Sequence, residues 1–214
     1  MSWPELFFDV LDILEVISFA LSGAMLAVKK RTDLFGVIII GIVSAVGGGV
    51  TRDVLLGQVP PAAFTDSRYV LAAAATSAAL FAVARWKKEI YLRRTDLVDK
   101  VNNVADAIGL GAFSVTGVQA AVTAGYGENL FFAVFLGVIT GVGGGVLRDM
   151  MLGQVPFILV KRVYAVASIL GALSYYLLCR AGMAPAMASV AGIALVFCVR
   201  MLATHYRWNF PRAI

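Results

Sequence analysis

Gly47-Gly48-Gly49-Val50-Thr51-Arg52-Asp53-Val54-Leu55-Leu56-Gly57-Gln58-Val59-Pro60 returns almost unchanged as Gly143-Gly144-Gly145-Val146-Leu147-Arg148-Asp149-Met150-Met151-Leu152-Gly153-Gln154-Val155-Pro156. Each copy follows an apolar run. A glycine inside a helix costs roughly 1 kcal/mol relative to alanine, and an arginine near a bilayer centre costs about 2.5–3.5 kcal/mol on insertion scales. A chain that accepts both costs twice, at matching positions, uses them. Glycines alone could serve close packing between membrane helices, but the Arg-Asp pair behind each triplet needs more than packing. A phosphate loop does not fit, because neither copy has the Gly-Lys-Ser/Thr ending of a P-loop or the GxGxxG spacing of a dinucleotide site.

The chain has 214 residues, 60% of them hydrophobic and 14% charged, with a mean hydropathy of +0.86. Globular chains hold about 25% charged residues, so these values describe an all-α integral membrane protein, a single transmembrane domain over 1–214. A span needs about 20 mostly apolar residues. Seven can be placed, at about 10–28, 35–58, 66–85, 97–122, 129–153, 160–179 and 184–203. The net charge of +5 sits mostly in short connections and does not call for nucleic acid. Lys29, Lys30 and Arg31 follow span one, and Arg85, Lys87, Lys88, Arg93 and Arg94 follow span three. Lys161 and Arg162 follow span five, and Arg200, Arg207 and Arg212 close the chain, against only Arg68 and Arg180 near span ends on the other side. The positive-inside rule then sets the N-terminus outside and the C-terminus in the cytoplasm of a multi-pass protein of the cell (inner) membrane. The first ten residues carry Glu5 and Asp9 but no basic residue, unlike a signal peptide. Cys179 and Cys198 fall near the start and toward the end of the stretch holding the last span. That is too far apart along one helix to bond, and they read as apolar fillers.

The repeat is long. Asp33-Leu34-Phe35 through Pro60 aligns with Asn129-Leu130-Phe131 through Pro156 without a gap, and Ser22-Gly23-Ala24 matches Leu110-Gly111-Ala112 after a length change. Each unit holds three spans, repeat one over about 9–86 and repeat two over about 96–180, with the seventh helix at about 184–203 outside both. An odd number of spans inverts the second copy, so the two repeats relate by a pseudo-two-fold axis in the membrane plane. Such folds place their site near the midplane at interrupted helices, so helices two and five are expected to be broken at their triplets. Backbone groups freed there would face protein or water. Pro60 and Pro156 are expected to end or bend the same helices.

Arg52 falls in the outer half of span two and Arg148 in the inner half of span five. Asp53 and Asp149 are their sequence neighbours, and consecutive helical residues diverge by roughly 100°. The arginines are therefore expected to pair with another span, as a structural salt bridge, or to line water on an ion or solute path. Their recurrence beside the triplets favours the path. Span one carries Asp12, Glu15, Ser18 and Ser22 on one side, and span four carries Asp99, Asn102, Asn103 and Asp106. Asp12 and Asp99 read equally well as interfacial; Glu15, Asn103 and Asp106 are expected deeper, and with Ser18 they are candidate pore-lining groups. Gln58 and Gln154 read as helix-end hydrogen-bonding groups. Trp3, Trp86 and Trp208 fall where interfacial aromatics do. His205, the single histidine, makes no metal cluster, and no Ser/His/Asp, Cys/His or zinc spacing is present. Nothing in the sequence points to bond-making chemistry or to an enzyme.

The doubled Gly-Gly-Gly-Val-x-Arg-Asp-x-x-Leu-Gly-Gln-Val-Pro motif resembles the bacterial and archaeal members of the trimeric intracellular cation (TRIC) channel family, which also carries a glycine-transporter label. The resemblance covers nearly the whole chain and implies a homotrimer with one pore per subunit, conducting potassium or sodium. It implies kinks at the triplets, Gly47, Gly48 and Gly49 with Arg52 and Asp53 beside them, and Gly143, Gly144 and Gly145 with Arg148 and Asp149. It implies no cofactor or metal besides the permeant potassium or sodium and bound lipid, and partners limited to the other subunits and membrane lipids. The basic residues would act in such a channel as a gate or barrier rather than as a cation site. Inverted repeats with broken helices serve transporters too, so a secondary transporter of a small amino acid such as glycine is the alternative. The topology predicts that cysteines placed in the 29–33 and 86–94 connections react with a membrane-impermeant thiol reagent from the cytoplasmic side only; labelling of either from outside refutes it.

Overall fold

Asp33 and Asn129 start the two motif helices in the same way: Asp33 Oδ1 accepts the Gly36 N–H at 2.8 Å and Asn129 Oδ1 accepts the Phe132 N–H at 3.0 Å. A side-chain oxygen at this position satisfies a backbone donor that the helix leaves open. The computed structural model describes residues 3–88, 93–160 and 163–208; Lys161, Arg162 and Arg212, counted above among the basic residues, lie outside them. The long helices are α1 (Trp3–Lys29), α2 (Leu34–Leu55), α3 (Ser67–Trp86), α4 (Thr95–Ala121), α5 (Leu130–Met151), α6 (Val163–Arg180) and α7 (Pro185–His205). A π-helical turn, Val122–Tyr126, extends α4, and one-turn helices Ala62–Thr65 and Phe157–Val160 follow α2 and α5. All seven long helices are long and apolar enough to cross a membrane. Cys179 belongs to α6 rather than to the last span, and both thiols are free.

The motif tail is a helix stop. Gly57 and Gly153 adopt φ of +72° and +64°, the left-handed region that favours glycine. The Gln58 N–H reaches the Asp53 carbonyl at 2.8 Å, and the Gln154 N–H reaches the Asp149 carbonyl at 3.0 Å. The Gly57 and Gly153 N–H groups bond Val54 and Met150 three residues back. This is the Schellman arrangement, which satisfies the last carbonyls of a helix. Helices α2 and α5 therefore end at Leu55 and Met151, short of the 58 and 153 expected, and Pro60 and Pro156 lie beyond the stop instead of making it.

The expected break at the triplets is corrected: α2 and α5 run as continuous α-helix through both. The glycines serve an approach between helices. A Cβ on Gly48 would collide with the Thr140 carbonyl oxygen, and one on Gly144 with the Ser44 carbonyl oxygen. A Cβ on Gly143 would stand 3.2 Å from the Gly48 Cα. The two helices cross backbone against backbone, and helical hydrogen bonding survives because only side-chain volume had to be removed.

Around this crossing α3 packs on α1 and α2 as α6 packs on α4 and α5. Helix α7 lies outside the repeat against α4 and α6. Helices α1 and α4 run antiparallel in fixed register: Lys29 bonds Asp99, Ser22 bonds Asp106, Phe19 stacks on Phe113 with centroids 5.1 Å apart, and Glu15 bonds Thr116. The exposed Trp3 and Trp86 sit at helix ends, and exposed Trp208 just beyond one.

The third glycines differ from the second. A Cβ on Gly49 meets only Arg52 Nη2, at 3.8 Å, and one on Gly145 only Tyr164 Oη at 3.5 Å and Arg148 Nη2 at 3.7 Å. Gly48→Ala and Gly144→Ala are expected to destabilise the purified protein by about 3 kcal/mol, the upper end of overpacking costs. Gly49→Ala and Gly145→Ala should leave stability unchanged or raise it by up to about 1 kcal/mol. Thermal unfolding in detergent separates the two pairs.

Candidate functional site

The motif carboxylates tie each helix to the loop behind it. Asp53 Oδ1 accepts from Arg52 Nε at 2.8 Å, while Oδ2 accepts the Ala62 N–H at 2.9 Å. In the second copy Asp149 Oδ1 accepts from Arg148 Nε at 2.8 Å and from Gln154 Nε2 at 2.9 Å, and Oδ2 accepts the Phe157 N–H at 2.8 Å. The position equivalent to Phe157 is Pro61, which has no N–H, so the first copy uses the next residue. Each arginine thus pairs with its own neighbour, which helical divergence does not suggest, while Arg148 also pairs with Asp106 of another span and Arg52 lines a cavity, the two outcomes expected of them. The 100° rule fixes where Cβ points, but an arginine is long enough to fold back around the helix. Gln154 is confirmed as a helix-end hydrogen-bonding group.

The polar residues form two layers, on opposite sides of the Phe19–Phe113 stack. On α1, Phe19 lies between Glu15 and Ser22; on α4, Phe113 lies between Asp106 and Thr116. The layer toward Asp9 surrounds a cavity of about 50 Å³ lined by Asp12, Glu15, Gly49, Arg52, Asp53 and Tyr69, among others. Glu15 is buried and accepts from Thr116 Oγ1 at 2.9 Å. Asp12 is partly buried and accepts from Tyr69 Oη at 3.4 Å, so it belongs to this layer and not to the interface alone. Ser18 is buried on α1 between Glu15 and Ser22.

The layer toward Lys29 is a buried ionic network. Arg148 Nη1 donates to Ser22 Oγ at 3.1 Å and to Asp106 Oδ1 at 3.3 Å. Arg200 Nη2 donates to Asn103 Oδ1 at 2.9 Å and to Asp106 Oδ2 at 3.3 Å. Asp106 therefore stands between two guanidinium groups from α5 and α7. Arg148 also lies over the Phe157 ring at 5.1 Å, and Arg200 over the Tyr164 ring at 4.7 Å. This network faces a cavity of about 1180 Å³, whose lining includes Asp106, Gln154, Phe157 and Arg200 at its inner end and Lys29, Asp99 and Lys100 further out. Asp99 is exposed and pairs with Lys29 at 2.8 Å, the interfacial reading of that residue.

Arg200 and Tyr164 were not expected here. Arg200 reads in sequence as one of the basic residues closing the chain, yet it is 3% exposed. Its signal is the buried row Ala188, Gly192, Val196, Arg200 on α7, which puts it at helical spacing on a core-facing stripe. Among the described residues no group of three or more His, Cys, Asp and Glu could hold a metal ion.

Comparison with known proteins places the chain in one group. A family model described as glycine transporter matches residues 9–85 and again 103–180. The UPF0126 inner membrane protein YadS of Escherichia coli (strain K12) is 36% identical over 205 residues, covering 94% of this chain and 93% of that protein. A solved TRIC cation channel aligns with a TM-score of 0.82 at 34% identity, covering 97% of each chain. The TRIC trimeric intracellular cation channel orthologue from Rhodobacter sphaeroides aligns with a TM-score of 0.83 at 31% identity, covering 94% of this chain and 98% of that one.

Removing one member of a buried ion pair strands the other and costs about 3–5 kcal/mol. Asp149→Ala should reach that range, because it leaves the 1% exposed Arg148 side chain with Asp106 alone and deprives Gln154 and the Phe157 N–H of their acceptor; Asp53→Ala should cost less, because the Arg52 side chain keeps 17%. Equal losses for the two variants in thermal unfolding would refute this ranking.

Proposed function

The chain belongs to the prokaryotic TRIC channel family, whose family model is described as glycine transporter, and from that premise we propose that it is a cation channel of the cell membrane. One observation carries the reading: two charged layers lie in a bundle of α1, α2, α4 and α5, the second joined by Arg200 of α7, each next to its own cavity and separated by one aromatic stack. That is the layout of a path through one subunit, closed at its centre. The subunits assemble as a homotrimer, with the N-terminus outside, and each carries its own pore.

The permeant ion in this reading is a monovalent cation, potassium or sodium. Glu15, Asp12 and Asp106 supply carboxylates along the path, while Arg52 and Arg148 stand beside it as barriers. Two unit charges at 4 Å repel by about 4 kcal/mol at an effective dielectric of 20, and a divalent ion would meet twice that. The third glycines, Gly49 and Gly145, keep the space next to each guanidinium free of side chain. Gln58 and Gln154 act as helix-end groups outside the gate.

A second reading, transport of a small amino acid such as glycine, has one observation in its favour: cavities at both ends with a closed centre also describe an occluded carrier. Planar-bilayer recordings decide between them. A channel gives unitary currents that reverse at the cation equilibrium potential and ignore the chloride gradient. Saturable glycine accumulation in liposomes without unitary currents would establish the carrier instead. Arg52→Ala should form stable trimers with cation conductance raised severalfold. Arg148→Ala, which leaves Asp149 without its arginine and Asp106 with Arg200 alone, should alter currents and lower stability together. Unchanged conductance, gating and selectivity in stable trimers of both variants would remove the arginines from the path.

A further inference from the structure

Three hydrogen-bond donors in the Lys29-side layer point at no acceptor: Arg148 Nη2, Arg200 Nε and Tyr164 Oη. All three residues are at most 3% exposed. They are neighbours, since Arg200 lies over the Tyr164 ring and the Tyr164 hydroxyl shares with Arg148 Nη2 the space above Gly145. A methyl-sized group on Gly145 would touch only those two atoms, at ordinary contact distance. The other donors of the Arg148 guanidinium are taken by Asp149, Ser22 and Asp106, and Phe157 covers its face. Burying a donor without an acceptor costs about 1–3 kcal/mol, more for a charged group.

We propose that this pocket, built by Arg148, Tyr164 and Arg200 above Gly145, binds a small monovalent anion, a halide or a small carboxylate, entering from the cavity toward Lys29. The donors are an N–H and an O–H with a second guanidinium close by, which selects a negatively charged acceptor over a cation. The entrance supports this. Lys29, Lys30, Lys100 and Arg207 line the cavity against Asp96 and Asp99. Asp106, Phe157 and Arg200 line it as well, and Asp106 and Phe157 touch Arg148 directly. An anion there accepts from the free nitrogens of two guanidinium groups whose other nitrogens, Arg148 Nη1 and Arg200 Nη2, hold Asp106. Arg148 and Arg200 swing toward the anion, and the Asp106 carboxylate is left to face a passing cation. Occupancy of the anion site therefore raises cation conductance. Binding itself is independent of the channel reading and can be measured without any current.

The test uses the purified full chain in detergent and chloride as probe, read by ³⁵Cl line broadening. Wild type is expected to show saturable broadening that formate displaces and gluconate, a six-carbon anion, does not. Tyr164→Phe removes one donor and keeps the ring under Arg200; Gly145→Ala fills the space and removes no contact. Each should weaken chloride binding at least fivefold while eluting as the wild-type assembly. Absence of saturable broadening in wild type, displacement by gluconate as readily as by formate, or unchanged binding in whichever of the two variants folds overturns the site. In bilayers, replacing chloride by gluconate on the Lys29 side alone should lower the potassium current of wild type by more than that of Gly145→Ala. If chloride binds as expected but no unitary current is seen, the channel reading fails and the anion site stands.

Discussion

The crossing of α2 and α5 at Gly48 and Gly144 is the contact on which the rest of the structure depends. Each glycine lies against a carbonyl of the opposite helix, at Thr140 and Ser44, residues at matching positions of the two repeats. An interface without side chains sets the helices close enough for backbone packing, which is where membrane helices gain most from small residues. Four residues beyond each second glycine comes an arginine. Because the helices run in opposite senses through the repeat, the crossing sends Arg52 toward one cavity and Arg148 toward the other. Spreading the helices would separate the two layers from their shared axis before it broke any hydrogen bond.

The charges held next to that crossing are paired and, in the second copy, built into the scaffold. Asp149 satisfies an arginine, a glutamine and a backbone N–H beyond the helix stop at once. A buried ion pair seldom stabilises more than a hydrophobic replacement would. Retaining it in both repeats therefore marks the guanidinium itself as the useful group, with the carboxylate keeping it charged and oriented.

Much of this was legible in the sequence because it is written in lengths and repeats. Span number and inversion depend on length, composition and repetition, which one chain displays in full; the N-caps at Asp33 and Asn129 and the stop at Leu-Gly-Gln are equally local signals, but Pro60 and Pro156 drew the reading of the helix ends past them. Three things were not legible. A glycine triplet is equally consistent with an interrupted helix and with a close crossing, and only the partner helix decides between them. The pairing of Arg52 with Asp53 escapes a rule about Cβ directions because the side chain is longer than the rule. Arg200 sits at the end of an apolar run, where a basic residue normally snorkels toward the surface; its burial comes from Asp106, 94 residues away. Tyr164 has a faint signal, since it falls 15 residues after Asp149 much as Tyr69 falls 16 after Asp53.

The two layers, though built from one repeat, are not electrically equal, and the inequality traces to α7. In the layer toward Asp9 a single arginine, Arg52, faces Asp12, Glu15 and Asp53. In the layer toward Lys29 two arginines, Arg148 and Arg200, face Asp106 and Asp149. The second arginine comes from the helix that has no counterpart in the other repeat. Formal charge is thus negative in one layer and balanced in the other. For the proposed channel this means that a positive ion gathers at the first layer and meets its resistance at the second, an asymmetry that the nearly two-fold backbone alone would not give. In that proposal the extra helix makes one half of the inverted repeat the collecting end and the other half the controlling end.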